Sequence, residues 1–286
     1  MTTDETGTRR GRTVEARVLA LDGFQRAAKD DRVVTEEPLE IRLTAAAEVK
    51  TLAVTMRTPG NDFELAAGFV FSERIVHARD EIAQLTYCLD AGIDPDQRYN
   101  IVSIELVRAG LPALDRLERR FAAGSACGVC GRAHLDSLRE LGVTPIDDGV
   151  QIAADLLYSL PSRMREAQRI FESTGGLHAA ALFDERGEAI VVREDVGRHN
   201  AVDKLAGWGL LNGKLPFTRR ILMVSGRAGY EILQKSAVAR IPIVCSVSAP
   251  SSLAVDLARE FNITLAGFVR EGRANIYSGG DRIAVS

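Results

Sequence analysis

The chain has 286 residues, of which 46% are hydrophobic and 26% charged, and its formal net charge is −3. That is ample apolar content for one large domain or two ordinary ones, and the charge balance excludes a general electrostatic binder of nucleic acid. The polar start, Met1 to Thr13, lacks the apolar centre of a secretory signal, and no apolar run is long enough to cross a bilayer, so the expectation is a soluble cytoplasmic protein without membrane contact.

Residues 1–13 read as a disordered arm, rich in Thr, Gly and Arg. Three strands are predicted at Val14–Leu21, Arg32–Leu43 and Val49–Met56; Leu39, Ile41 and Leu43 alternate onto one face. Thr58-Pro59-Gly60-Asn61-Asp62 is a turn that also supplies a helix N-cap, and the helix it opens runs from about Phe63 to Glu73. Strands follow at Ile82–Leu89 and Ile101–Val107, then a helix at Leu111–Phe121.

That helix leads into Gly124-Ser125-Ala126-Cys127-Gly128-Val129-Cys130-Gly131-Arg132, the stretch with the clearest chemistry. Glycines flank both cysteines, and Leu135, Leu138 and Leu141 are spaced for one helical face, so the pair sits in a loop or at a helix N-terminus. A helix N-terminus stabilises a thiolate, because unpaired N–H groups and the helix dipole favour negative charge there.

A composition shift near Pro145–Gly149 divides the chain into an N-terminal α+β part, residues 14–148, and a C-terminal α/β part, residues 149–286. The second part begins with helices at Ala154–Tyr158 and Pro161–Phe171. A hairpin follows, Leu177–Phe183 with Ala189–Arg193, and then a helix to about Leu211. Strands at Arg220–Val224, Pro242–Val247 and Ile263–Val269 alternate with helices at Ala228–Ala239 and Leu253–Phe261. This β-α-β-α-β order predicts a parallel sheet, and such sheets bind ligands outside the carboxyl ends of their strands. Those ends carry Ser225-Gly226-Arg227, Ser248 with Ser251 and Ser252, and Arg270-Glu271-Gly272-Arg273. Two of them also open helices, whose N-termini attract anions, so a phosphate-bearing ligand fits best.

The cysteine pair has rival readings. Cys127, Cys130 and His134 have zinc-ligand spacing, with Cys88 or Cys245 as the fourth ligand, and a reducing compartment equally suits a reactive dithiol. Cys88 and Cys245 themselves read as small buried hydrophobes. Zinc deaminase chemistry is disfavoured, because Ala126 precedes Cys127 where proline is wanted and no histidine begins His-x-Glu. His178, His199, Asp195, Arg198 and Asn200 cluster near glycines and suit either turn and cap duties or a functional loop.

Together these motifs carry a resemblance. The segments Thr58–Asp62, Cys127-Gly-Val-Cys-Gly, Ser173-Thr-Gly-Gly-Leu-His, Glu194-Asp-Val-Gly-Arg-His-Asn-Ala-Val-Asp-Lys, Ser225-Gly-Arg, Ser248-Ala-Pro-Ser-Ser and Gly267-Phe-Val-Arg with Arg273 resemble the FdhD/NarQ family over nearly the whole chain. The resemblance implies a sulfurtransferase accessory to formate dehydrogenase. It would take sulfur from a cysteine desulfurase as a persulfide on Cys127, with Cys130 assisting or resolving it. Delivery would be to the molybdenum (or tungsten) of a bis-molybdopterin guanine dinucleotide cofactor, Mo-bis-MGD. The resemblance also implies a cytidine deaminase-like C-terminal domain of α/β/α layering without the deaminase zinc, no metal of its own, and a homodimer. The cofactor segment would be Phe268, Val269, Arg270, Glu271, Gly272 and Arg273, joined by Ser225, Gly226, Arg227, Ser248, Ser251, Ser252 and His199. A non-catalytic, zinc-stapled chaperone that holds the cofactor is the rival class, and a dithiol oxidoreductase a third.

Overall fold

The computed structural model describes residues 11–46, 48–88, 92–112, 114 and 131–285. The chain opens with a hairpin, β1 (Thr13–Asp22) and β2 (Gln25–Val34), that forms a two-stranded sheet of its own. The predicted strand Arg32–Leu43 is therefore two strands. It breaks at Thr35-Glu36, where β2 leaves the hairpin and β3 (Glu37–Ala45) enters a different sheet. Alternation was legible only in β3, where Leu39, Ile41, Leu43 and Ala45 are fully buried; β2 is exposed almost throughout.

β3 pairs antiparallel with β4 (Glu48–Arg57) and parallel with β6 (Ile101–Leu106), which pairs with β5 (Ile82–Tyr87), giving the order β4-β3-β6-β5. Helix α1 (Asp62–Ser72) covers the apolar face of this sheet. Asn61 stands at its N-cap position as expected, but in a left-handed conformation and without a side-chain cap bond. The predicted helix Leu111–Phe121 falls mostly outside the described residues, as do Cys127 and Cys130. Helix α2 (Gly131–Glu140) follows them and buries Leu138.

The second part holds a six-stranded sheet in the order β13-β12-β11-β10-β8-β9. Its strands are β8 (His178–Phe183), β9 (Ala189–Asp195), β10 (Ile221–Val224), β11 (Ile243–Ser246), β12 (Thr264–Arg270) and β13 (Arg273–Ser278). β10, β11 and β12 are parallel, as the βαβαβ pattern required, but β8 and β13 run antiparallel to their neighbours, so the sheet is mixed. A short parallel pair, β7 (Ile152–Ala153) with β14 (Ile283–Ala284), ties in the chain end.

The period of two sorts the sheet's side chains onto two faces. Ala179, Ala181, Phe183, Ile221, Met223, Ile243 and Cys245 pack with Leu157, Leu160 and Met164 of helix α3 (Ala154–Ala167). Ala180, Leu182, Leu222, Val224, Val244 and Leu265 pack on helices α5 (Arg198–Leu211), α6 (Tyr230–Val238) and α7 (Ser252–Glu260). α3 is one helix where two were expected. It runs through Pro161, which costs a backbone hydrogen bond, and the packing of its apolar stripe on the sheet outweighs that loss. A separate one-and-a-half-turn helix, α4 (Arg169–Thr174), follows.

α1 and α5 cross between the two sheets at unusually close range. A Cβ on Gly68 would sit 1.8 Å from the Asp203 carbonyl oxygen, and one on Gly207 1.8 Å from that of Glu64. Glycine at both positions is what allows backbone to meet backbone. Among the described residues no helix is long and apolar enough to cross a membrane.

Candidate functional site

The turn Thr58–Asp62 and the segment Glu194–Lys204, far apart in sequence, are locked together. Asp195, fully buried, accepts hydrogen bonds from the backbone N–H groups of Thr58 (3.3 Å) and Gly197 (2.8 Å) and from Asn200 Nδ2 (2.9 Å). Lys204 Nζ lies 2.6 Å from Asp195 Oδ2 and donates to the carbonyls of Thr58 (3.0 Å) and Glu194 (3.3 Å). Burial pulls the Lys204 ammonium below its ordinary range, and the Asp195 carboxylate opposes that shift. A second buried pair, Lys235 with Asp203, stands 2.8 Å apart, and Ser72 Oγ donates to the same carboxylate. Burial pushes Asp203 up, while Lys235 and Ser72 work against the rise. Asp195, Asn200 and Lys204 thus have structural duties that fix where the ends of β4 and β9 lie. Arg12 joins the same turn, donating from Nη2 to Asn61 Oδ1 at 2.9 Å.

At the carboxyl ends of β10, β11 and β12 the three loops are laced to one another. Ser246 Oγ donates to the Gly226 carbonyl (2.7 Å), Ala228 forms a lone bridge with Pro250, and the Phe268 N–H donates to the Ser248 carbonyl (3.1 Å). Gly267 must be glycine here, since a Cβ would meet the Tyr277 ring at 2.9 Å and the Ser248 carbonyl at 3.2 Å. Phe268 then takes a left-handed backbone (φ 52°) inside a β-bulge and turns its ring outward. A bulky residue at positive φ is strained, and such strain gathers at functional sites.

The residues named from the sequence fall on this rim in different ways. Arg227, Arg270, Glu271, Gly272 and Arg273 are exposed, and Arg270 pairs with Arg273 across the β12–β13 hairpin. None of the three arginines has an ion-pair partner among the described residues. Ser252 is exposed, and Ser251 is the N-cap of α7, accepting from the Ala254 N–H. Ser225 Oγ accepts the Ala179 N–H at 2.8 Å, which anchors β8 beside β10. Val269 faces inward, in the core shared with α3. His199 Nδ1 meets Glu231 Oε2 at 2.6 Å at the mouth of the β10 loop. This hydrogen bond holds the Glu231 carboxyl below its ordinary range, against the effect of burial.

Two neighbours, Glu231 and Gln168, carried no distinct signal of their own, and they join His178 and Arg198 only through the sheet order. Gly226 lies against His178, where an added Cβ would be 3.2 Å from Nδ1 and 3.6 Å from Arg198 Cδ. Burial, then the charges of Arg198 and His199, lowers the His178 pKa, so the ring stays neutral further into acid than a free histidine. Below it opens a cavity of about 560 Å³, lined by α3, α4, the start of β8, Ser225 and Val247. Cys88 and Cys245 are both buried, as expected; burial raises the Cys245 thiol far above its ordinary range.

Comparison with known proteins agrees with this architecture. Residues 34–284 match the sequence profile of the FdhD/NarQ family. A protein of Streptomyces avermitilis named sulfur carrier protein FdhD is 49% identical over 278 residues, covering 96% of this chain and 97% of its own. One of the same name from Sulfurisphaera tokodaii is 44% identical over 257 residues, covering 90% and 93%. A crystal structure of a candidate formate dehydrogenase accessory protein from Desulfotalea psychrophila superposes with a TM-score of 0.73 at 23% identity, covering 95% of this chain and 99% of that one.

Proposed function

The chain belongs to the FdhD/NarQ family, and on that premise we propose that it is a sulfurtransferase that carries sulfur on Cys127 and sulfurates the Mo-bis-MGD cofactor for formate dehydrogenase. Residues 14–148 present the cysteines, and residues 149–286 hold the cofactor. The helices on both faces of the six-stranded sheet support a cytidine deaminase-like reading of that second part. The protein works in the cytoplasm as a homodimer, between a cysteine desulfurase and its client.

In loading, the Cys127 thiolate attacks the outer sulfur of a persulfide on the desulfurase, whose own thiolate leaves. The carried sulfur is formally zero-valent, whereas a metal sulfido ligand needs two more electrons. In delivery, the Cys130 thiolate attacks Cys127 Sγ. A disulfide forms between the two cysteines, and the outer sulfur departs as hydrosulfide with the electron pair, to be taken up by the cofactor's metal. A thioredoxin-type dithiol then reduces the disulfide and resets the carrier.

The observation that carries the cofactor half is the laced rim. Arg227 beyond β10, and Arg270 and Arg273 at the β12–β13 turn two strands away, stand exposed at the same end of the sheet as the first turns of α6 and α7, without acid partners among the described residues. Guanidinium groups and helix N-termini are the natural holders of a dinucleotide's phosphates. The zinc-stapled alternative needs a fourth ligand from Cys88 or Cys245, and both are buried in packed strands or their ends.

The decisive experiment is incubation with a cysteine desulfurase and cysteine, followed by peptide mass analysis. A gain of one sulfur on the peptide bearing Cys127, absent in Cys127→Ala, is expected. Bound zinc with no sulfur gain would overturn the carrier role in favour of the chaperone. A disulfide between Cys127 and Cys130 that turns over with thioredoxin-type reductants, again without a gain of sulfur, would favour the oxidoreductase.

A further inference from the structure

A second cavity, of about 310 Å³, opens on the amino-terminal side of β10 and β11, away from the arginine rim. Residues 71–77 and 142–144 wall it on one side and residues 215–240 on the other, so segments far apart in the sequence share it. Phe71, Val143, Leu215 and Val238 make its apolar surface, and Arg74, His77 and Arg240 are its ionisable groups. No carboxylate lines it among the described residues. Three helices end around it, and their C-terminal carbonyls explain part of the arginines' duty. Arg74 Nη2 donates to the Leu141 carbonyl (3.3 Å) past the end of α2, and Arg240 Nη1 to the Thr144 carbonyl (2.7 Å) and Oγ1 (2.9 Å). Those bonds use one edge of each five-donor guanidinium. Arg74 Nε is buried and has no hydrogen-bond partner among the described residues.

A charged donor kept from water without an acceptor is a standing cost that a protein seldom keeps without a use. Burial pulls the Arg74 guanidinium below its ordinary range, and the charge of Glu81 only opposes that shift. Glu81 is itself engaged, since its Oε1 accepts the N–H groups of His77 (2.7 Å) and Ala78 (3.1 Å). The backbone adds a second cost. Arg74 and Arg240 each stand one residue past a helix C-cap in a left-handed conformation, φ 59° and 63°. Glycine is unstrained there, and the third helix end at this cavity does use it, at Gly142 (φ 75°). Two strained arginines facing one hollow point to a use for their charge. The negative ends of three helices oppose a second negative charge on an occupant, so a monoanion fits better than a phosphate dianion. The apolar walls call for a hydrocarbon body beside that charge. We propose that this cavity binds a carboxylate carried on a short apolar stem, with Arg74 Nε donating to the carboxylate and Arg240 and His77 beside it. The carboxylate can belong to a small free acid or to the end of a polypeptide chain.

The test uses the full-length protein and calorimetric titration with hexanoate, hexanol, inorganic phosphate and acetyl-leucine. Hexanoate should bind the wild type at least about tenfold more tightly than hexanol, which lacks the charge, or phosphate, which lacks the stem. Arg74→Gln removes the charge and the orphaned donor and should weaken hexanoate by at least about tenfold. Arg240→Gln, at a half-exposed position, should cause a smaller loss of the same sign, and it decides the matter if Arg74→Gln fails to fold. Acetyl-leucine imitates a chain terminus. Its binding more tightly than hexanoate would assign the carboxylate to a polypeptide end, and the reverse order to a free acid. Hexanol or phosphate binding as tightly as hexanoate would overturn the proposal. So would an unchanged hexanoate affinity in a folded Arg74→Gln protein, because the acid would then sit elsewhere, or a wild type that binds neither carboxylate.

Discussion

Replacing Lys204 with methionine should unfold the joint between the two parts of the molecule before it touches any ligand. The substitution keeps the length of the side chain and removes only the charge and its donors. The Lys204 side chain is 2% exposed and that of Asp195 0%, so the surviving carboxylate cannot be rescued by water. Three acceptors lose one donor each: Asp195 Oδ2, the Thr58 carbonyl and the Glu194 carbonyl. Breaking one side of a buried ion pair costs about 3–5 kcal/mol, a large share of the roughly 5–15 kcal/mol that holds an ordinary domain folded. Asp195 keeps its bonds from Thr58, Gly197 and Asn200, which places the loss near the lower end, about 3 kcal/mol. Urea denaturation at pH 7 followed by circular dichroism reads this directly. The double variant Lys204→Met with Asp195→Asn should recover at least about 1 kcal/mol, because the amide leaves no buried charge. A loss below about 1 kcal/mol would refute the reasoning.

Three further outcomes follow from the same geometry. Gly207→Ala would force α1 and α5 apart until the 1.8 Å approach to the Glu64 carbonyl reached ordinary contact at 3.4 Å or more; a destabilisation of at least about 2 kcal/mol by chemical denaturation is expected. Phe268→Gly relieves a left-handed backbone and should stabilise the fold by about 1 kcal/mol, whereas Phe268→Val at the same positive φ should destabilise it, both read as shifts in thermal midpoint. His178 has a lowered folded pKa, so the unfolded chain binds more protons and wild-type stability must fall as the pH drops below about 6.5. His178→Gln should flatten that part of the pH–stability curve.

The arrangement of elements was legible where one physical signal dominated. Alternation in Leu39–Leu43, the turn Thr58–Asp62 that opens α1 and the βαβαβ order of residues 220–269 are local properties, and the structure keeps each of them. Where the reading strayed, a local rule met tertiary packing. Thr35-Glu36 is no obvious breaker, yet the chain there passes from a free hairpin into a buried sheet. Pro161 is an obvious breaker, yet the apolar stripe of α3 on the sheet carries the helix through it. β13 has no strong alternation, and only its pairing with β12 makes it a strand.

The candidate site divides in the same way. Residue types and spacing by themselves placed arginines, serines and glycines at the carboxyl ends of the parallel strands, because those preferences are written into single residues and short turns. Tertiary structure alone decided which of them meet. It assigned Asp195, Asn200 and Lys204 to bracing the Thr58 turn, Ser251 to capping α7, and Val269 to the core. It also brought Gln168, His178 and Glu231 to strand ends up to 63 residues apart in the chain. Long-range contact follows from strand order and register, which no local pattern encodes, and a buried donor without a partner becomes visible only once its surroundings are folded around it.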